Sequence, residues 1–239
     1  MSASTLLHWD GRTWGVQPRD MTLSVDLFWS FRSPYSYLAL PKTSRLAADY
    51  DVAVNARPVY PLAVRDPTFF KRTNPLFARY VVLDSLRVAQ REGIAFRFPR
   101  PDPIVQNMST LEIAAEQPLI RRLTRLGAAA QTRGRGLPFI REISCVLYDG
   151  SVDRWDQGDH LAKAASRAGL DLGELDAAIA ADPAKYEAVI AENEEAHKKS
   201  GHWGVPTFVF NGEPFFGQDR IDMLIWRLQQ HGLSARSAG

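Results

Sequence analysis

Residues 22–39 read Thr-Leu-Ser-Val-Asp-Leu-Phe-Trp-Ser-Phe-Arg-Ser-Pro-Tyr-Ser-Tyr-Leu-Ala, and this stretch decides the fold. Leu23, Val25, Leu27 and Trp29 alternate with Ser24, Asp26 and Phe28, the period-two pattern of a strand with one strongly apolar face. Ser33 followed by Pro34 is an N-cap followed by a first helical residue. The pattern predicts a helix over 34–49 and a second strand over 51–57, ended by Pro58. A strand, a helix and a strand in close succession imply a parallel pair joined by a helical crossover.

Beyond this unit the chain turns helical. Leu76, Tyr80, Leu83 and Leu86 fall near helical spacing over 75–92, ending at Gly93. A connector with Pro99, Pro101 and Pro103 follows. Further helices are expected over 109–126 (interrupted or kinked at Pro118), 138–148, 159–168, 172–181 and 184–200. Strand character returns at 205–210; Asn211-Gly212 is a hairpin turn, 213–216 pairs back, and Gly217-Gln218-Asp219-Arg220 opens a last helix. This order reads as an α/β thioredoxin-like fold (βαβ…ββα) carrying a large all-helical insertion. The expected layout is an N-terminal extension at 1–20 with a hairpin at Asp10-Gly11, a thioredoxin-like domain from 21–62 plus 201–231, a helical insertion over 63–200, and a flexible tail at 232–239.

Composition narrows the chemistry. The 239 residues carry 29 basic and 27 acidic side chains, a net charge of +2, which argues against a dedicated nucleic-acid binder. Cys145 is the sole cysteine, so no internal disulfide and no multi-thiolate zinc site can form. The five histidines are scattered, and no metal site is expected. The N-terminus lacks the pattern of a secretory signal and no stretch approaches the length of a membrane span, so a cytoplasmic protein is expected.

Two segments bear on function. Ser33-Pro34-Tyr35-Ser36 sits where a strand runs into a helix N-terminus, whose N–H groups and partial positive charge favour an anion. In a thioredoxin fold a Cys-x-x-Cys pair stands here; this chain has Ser33 and Ser36 instead, so a thiolate at this place has to come from a ligand. Ser33 alternatively serves only as an N-cap. Gly204-Val205-Pro206-Thr207-Phe208 reads as a proline-started edge strand or as the segment whose backbone receives a peptide-like ligand by strand addition. Arg32 and Arg57 are candidate carboxylate binders, with a structural ion pair the favoured role for Arg57. Tyr35 and Trp203 line an aromatic pocket or belong to the core, and Cys145 reads as an inert buried thiol.

Together VDLFWSFRSPYSYLAL at 25–40, Ala56-Arg57-Pro58, RYVVLDSLRVAQREGIAF at 79–96 and GHWGVPTFVFNGEPFFGQDRIDML at 201–224 resemble the thioredoxin-like family of 2-hydroxychromene-2-carboxylate isomerases and kappa-class glutathione transferases, relatives of DsbA. The resemblance covers about residues 22–230. It implies glutathione as cofactor. Ser33 matches the catalytic serine that contacts the glutathione sulfur, and Val205, followed by Pro206, the residue whose backbone pairs with the glutathione cysteine. Gln218 and Asp219 match the pair holding the γ-glutamyl end, and Asn74 a loop asparagine. The implied activity is glutathione-dependent isomerisation of an aromatic-pathway carboxylate; the alternatives are a kappa-like transferase or peroxidase and a DsbA-like binding protein without redox turnover. A dithiol–disulfide oxidoreductase is not expected, because both required thiols are serine. The implied assembly is a homodimer, with no nucleic-acid or membrane partner. Two positions depart from the family pattern: Ser30 stands where an aspartate is frequent, and Phe77 where a lysine is common. Lys71 and Arg79 are nearby cations, with an ordinary solvated surface as their plainer reading.

Overall fold

The computed structural model describes residues 7–9, 14–16, 23–107, 109–110 and 112–236. Its central sheet has four strands in the order β4-β3-β7-β8: β3 (Leu23–Trp29), β4 (Val52–Pro58), β7 (Thr207–Phe210) and β8 (Glu213–Phe216). β3 runs parallel to β4 and antiparallel to β7, and β8 pairs antiparallel to β7. The parallel pair is joined through α1 (Pro34–Asp49), which begins and ends where the sequence pattern placed it. Val25, Leu27 and Trp29 are completely buried from one face of β3. Phe28 points the other way, as strand alternation requires, and stacks on His197 with ring centroids 4.7 Å apart. Asn211 and Gly212 both take positive φ between β7 and β8, the tight turn that Asn-Gly favours.

Between the halves of the sheet lie α2 (Leu62–Arg65), α3 (Phe69–Arg72), α4 (Pro75–Glu92), α5 (Pro118–Thr132), α6 (Gly136–Tyr148), α7 (His160–Arg167), α8 (Leu172–Ala181) and α9 (Pro183–Lys199). After β8 comes α10 (Ile221–Gln230). The insertion is not all-helical: β5 (Gln106–Asn107) pairs antiparallel with β6 (Glu112–Ile113), and β6 falls where the helix over 109–126 was expected. Pro118 explains the difference. It does not kink a helix already under way but occupies the first turn of α5, where its missing N–H costs nothing. Just before it the buried Gln117 side chain binds both the N–H and the C=O of Val105, tying the short ribbon down. The insertion meets the sheet closely: a Cβ on Gly127 of α5 would come within 2.9 Å of Pro58 and 3.0 Å of Phe31.

Three further regions bear on the expected layout. The apolar stripe of α4 faces solvent; Leu76, Tyr80, Leu83 and Leu86 are all exposed, while Ser85 and Ala89 are the buried residues of this helix. The start of the expected loose tail is anchored: Asp51 donates its N–H to the Ser234 carbonyl, and Arg236 donates to the carbonyls of Asp49 and Tyr50. Those carbonyls end α1 and lack helical partners, which is why the chain returns to them. At the N-terminus, β1 (Leu7–Trp9) and β2 (Trp14–Val16) form the expected hairpin ladder, but the Asp10-Gly11 turn lies outside the described residues, as does the tail beyond 236.

His197 gives the fold a pH dependence. It is fully buried with neither ring nitrogen paired, and burial, reinforced by the Arg65 guanidinium, pushes its pKa down to about 4. An unfolded histidine titrates near 6.5. Between these values the unfolded chain takes a proton that the folded chain refuses, so stability falls as pH drops from about 6.5 towards 4, by up to about 3 kcal/mol. Urea unfolding across this range is expected to show a shallower acid loss in His197→Phe, which keeps a ring on Phe28; an equal loss in both proteins would remove His197 as the cause.

Candidate functional site

The segment 203–206 crosses in front of the N-terminus of α1, and each of its four carbonyls has its own donor. The Arg65 guanidinium donates to Trp203 O at 3.0 Å, and the Thr207 hydroxyl to Gly204 O at 2.6 Å. The Ser33 hydroxyl donates to Val205 O at 3.0 Å, and the Gly217 N–H to Pro206 O at 2.9 Å. The donors at Trp203, Gly204 and Pro206 are fixed in place. Arg65 is anchored by a second bond to Tyr60 O, Thr207 is fully buried in β7, and Gly217 donates from its backbone. The donor at Val205 is the hydroxyl of the half-buried Ser33, which unlike the sealed Thr207 hydroxyl has room to turn about its C–O bond and so be exchanged for another. The Val205–Pro206 peptide is cis.

Ser33 also caps α1, its Oγ accepting the Ser36 N–H at 3.2 Å. Ser36 itself is completely buried, with an unpaired hydroxyl, so of the two serines only Ser33 stands at the surface of the site. The adjoining cleft, of about 220 Å³, is lined by Tyr35, Asp84, Phe216, Gly217, Gln218 and Asp219. That is below the roughly 300–1,000 Å³ of a drug-sized site, so the cleft admits one end of a ligand and the remainder lies along open surface. Gly217 has φ of 108°, a backbone conformation for which the turn into α10 needs glycine. Tyr35 donates its hydroxyl to Asp84 at 2.7 Å, and Tyr80 does so at 3.3 Å. Burial and then the Asp84 carboxylate push the Tyr35 phenol well above its ordinary pKa, so it stays a neutral donor.

The structure therefore brings Ser33, Val205, Pro206, Gln218 and Asp219 to one place. Gln218 and Asp219 precede α10 rather than opening it; Arg220 is the N-cap, and its side chain pairs with Asp219 at 2.8 Å. Asn74 does not line the cleft: its side chain accepts the Leu76 N–H at 3.0 Å and caps α4. Arg57 pairs with Asp26 at 2.9 Å, in the structural role favoured for it, and Arg32 is held bidentate by Asp102. Phe77, at the position of the familial lysine, packs with Phe69 and Phe70 at 6.4 Å each. Burial raises the pKa of Cys145, which lies in α6 and does not line the cleft.

Sequence reasoning missed Asp84, Phe216, His202 and Arg65. Asp84 had a usable signal: it follows Tyr80 by four residues, which puts both on one side of a helix. Nothing local marks Arg65, whose partner lies 138 residues away.

Residues 24–229 match the model of the DSBA-like thioredoxin domain, and the chain belongs to that family. It is similar to a solved 2-hydroxychromene-2-carboxylate isomerase, with a TM-score of 0.66 and 20% identity over 87% of this chain and 96% of that one. It is also similar to the cytosolic disulfide reductase DsbM from Pseudomonas aeruginosa, with a TM-score of 0.54 and 19% identity over 87% of this chain and 100% of that one. DsbM with GSH gives a TM-score of 0.53 at 18% identity, again over 87% of this chain and 100% of that one. At these identities the likeness is one of fold. Among curated proteins none matches the sequence. Among the described residues no helix is long and apolar enough to cross a membrane, and no cluster of side chains could hold a metal.

The network around 203–206 predicts a stability effect. Thr207→Val is nearly isosteric and leaves the buried Gly204 carbonyl without its donor, so urea unfolding should show a loss of about 1–2 kcal/mol. A loss below about 0.3 kcal/mol would mean that water replaces the hydroxyl at no cost.

Proposed function

We propose that this chain is a glutathione-dependent isomerase acting on an aromatic-pathway carboxylate. The observation that carries the reading is the Ser33–Val205 hydrogen bond, which joins a hydroxyl at a helix N-terminus to a ligand-accessible peptide unit. A glutathione backbone paired with Val205 as an added strand gives its cysteine N–H to Val205 O. Ser33 is then released, and its hydroxyl turns to donate to the sulfur. The first turn of α1 adds its partial positive charge, which lowers the pKa of a thiol placed there from the ~8.5 of free cysteine. The γ-glutamyl end enters the cleft, where the Asp84 and Asp219 carboxylates take the α-ammonium and the N–H groups at the start of α10 take the α-carboxylate. DsbM, of the same fold, has been solved with GSH, which supports glutathione as the ligand class.

In this reading the thiolate adds to an electrophilic carbon of the substrate, a bond rotates, and the thiolate leaves, so that glutathione is not consumed. Dithiol–disulfide exchange does not fit these residues, because Ser33 and Ser36 carry no sulfur and Cys145 lies elsewhere. The outward apolar stripe of α4 is what a second copy would cover in a homodimer.

Calorimetry with glutathione tests the reading. Micromolar-to-millimolar binding is expected, weakened by about tenfold in Asp219→Ala, the equivalent of about 1.4 kcal/mol. No wild-type binding at ~10 mM would overturn it.

A further inference from the structure

Three rings crowd together beside Val205. His202 stacks on Phe216 with centroids 4.0 Å apart and planes 22° from parallel. The Trp203 indole lies 5.4 Å from His202 and 6.3 Å from Phe216, and Phe69 of α3 continues the wall at 5.1 Å from Trp203. Phe216 also lines the cleft, so the wall is continuous with the place assigned to the γ-glutamyl end.

The hydrogen bonding of His202 fixes its tautomer. The Gly204 N–H donates to Nδ1 at 2.9 Å. A neutral imidazole carries one proton, and with Nδ1 accepting, that proton is on Nε2. Burial lowers the pKa of the ring, which keeps it neutral near pH 7. Nε2 has no partner among the described residues, and the ring as a whole is only partly buried. His197, five positions earlier, is the contrast, with both nitrogens sealed in the core. His202 thus carries its one N–H on Nε2, on a ring packed against the cleft residue Phe216 and held by a loop that Arg65 fastens at the next residue.

On the reading of this place as a glutathione site, we propose that His202 is a catalytic residue whose Nε2–H donates to the substrate oxygen on which negative charge collects during thiolate addition. The substrate class is a planar conjugated carbonyl compound bearing an aromatic ring, the ring lying along Phe69, Trp203 and Phe216 and the carbonyl reaching His202. The sulfur lone pair forms a bond to the β-carbon. The alkene π pair becomes a new double bond to the carbonyl carbon, and the carbonyl π pair moves onto oxygen. One negative charge passes from sulfur to oxygen, with no oxidant or reductant involved. His202 keeps its proton and hydrogen-bonds that oxygen. The former double bond is now single and rotates; reversal of the electron flow expels the thiolate and leaves the isomerised product.

The test uses cis-benzylideneacetone as probe, with saturating glutathione, and compares the wild type with His202→Phe and His202→Gln. The phenyl ring keeps the stack on Phe216 but has neither the donor nor an acceptor for the Gly204 N–H; glutamine restores both. Donors to a developing oxyanion contribute about 100- to 1,000-fold in kcat. The expected result is therefore a fall of about 100-fold in kcat for His202→Phe with KM within about threefold, and recovery of about tenfold or more in His202→Gln. The calorimetric glutathione affinity of His202→Gln, which keeps an acceptor for the Gly204 N–H, stays within about twofold of wild type. A His202→Phe protein with wild-type kcat, or a wild type that binds glutathione and leaves the probe unchanged, would overturn the proposal. Failure of the underlying reading shows up separately, as no glutathione binding by the wild type.

Discussion

The hydroxyl of Ser33 and the carbonyl of Val205 stand 3.0 Å apart across 172 residues of sequence, and the rest of the site depends on that meeting. It is imposed by the sheet. Antiparallel pairing of Phe28 with Thr207 and of Asp26 with Val209 sets where β7 begins, and the segment before it must then pass the end of β3 and the start of α1. The insertion completes the arrangement from the far side: α2 supplies Arg65, α3 supplies Phe69 and α4 supplies Asp84. A βαβ unit and a ββα unit without the intervening helices would therefore retain Ser33 and Val205 but lose the acid, the clamp and part of the ring wall.

Two of the four carbonyls of this segment are held by hydroxyls, but Thr207 is sealed inside β7 whereas Ser33 stands half-buried at the site, so the Val205 carbonyl is the one whose partner can be exchanged. That asymmetry separates structure from function at the level of single hydrogen bonds. An unpaired buried carbonyl costs about 1–3 kcal/mol, so the Thr207 bond to the buried Gly204 carbonyl stabilises the loop. The Val205 bond costs little to exchange when an incoming N–H replaces Ser33. In the proposed function the released hydroxyl then serves the glutathione sulfur. A cysteine at position 33 would bring its own thiolate; with serine there, the proposed chemistry depends on what is bound.

What was legible in the sequence was whatever rests on local geometry. Ser33-Pro34 marks the start of α1, the left-handed Gly93 the end of α4, and Asn211-Gly212 the β7–β8 turn, because each is set by the conformational range of one or two residues. What was not legible depends on partners far along the chain. Apolar spacing on α4 gave a helix but not which side is covered, and the structure turns Leu76 and Leu83 outward. Pro118 reads equally as a helix breaker and as a helix start until Gln117 is seen bound to Val105. In the site, Ser33, Val205, Gln218 and Asp219 sit in recognisable strings and converge. Asp84, Arg65 and His202 are isolated polar residues whose meaning comes from the atoms they meet.

The most direct measurement is the ultraviolet thiolate absorbance of glutathione bound to the protein, titrated against pH and compared with Ser33→Ala. The expected result is a bound thiol that ionises about one to two pH units below the ~8.5 of free cysteine, with most of that lowering lost in Ser33→Ala. Bound glutathione that ionises at the free value in the wild type would contradict the assignment of this helix N-terminus as a thiolate site.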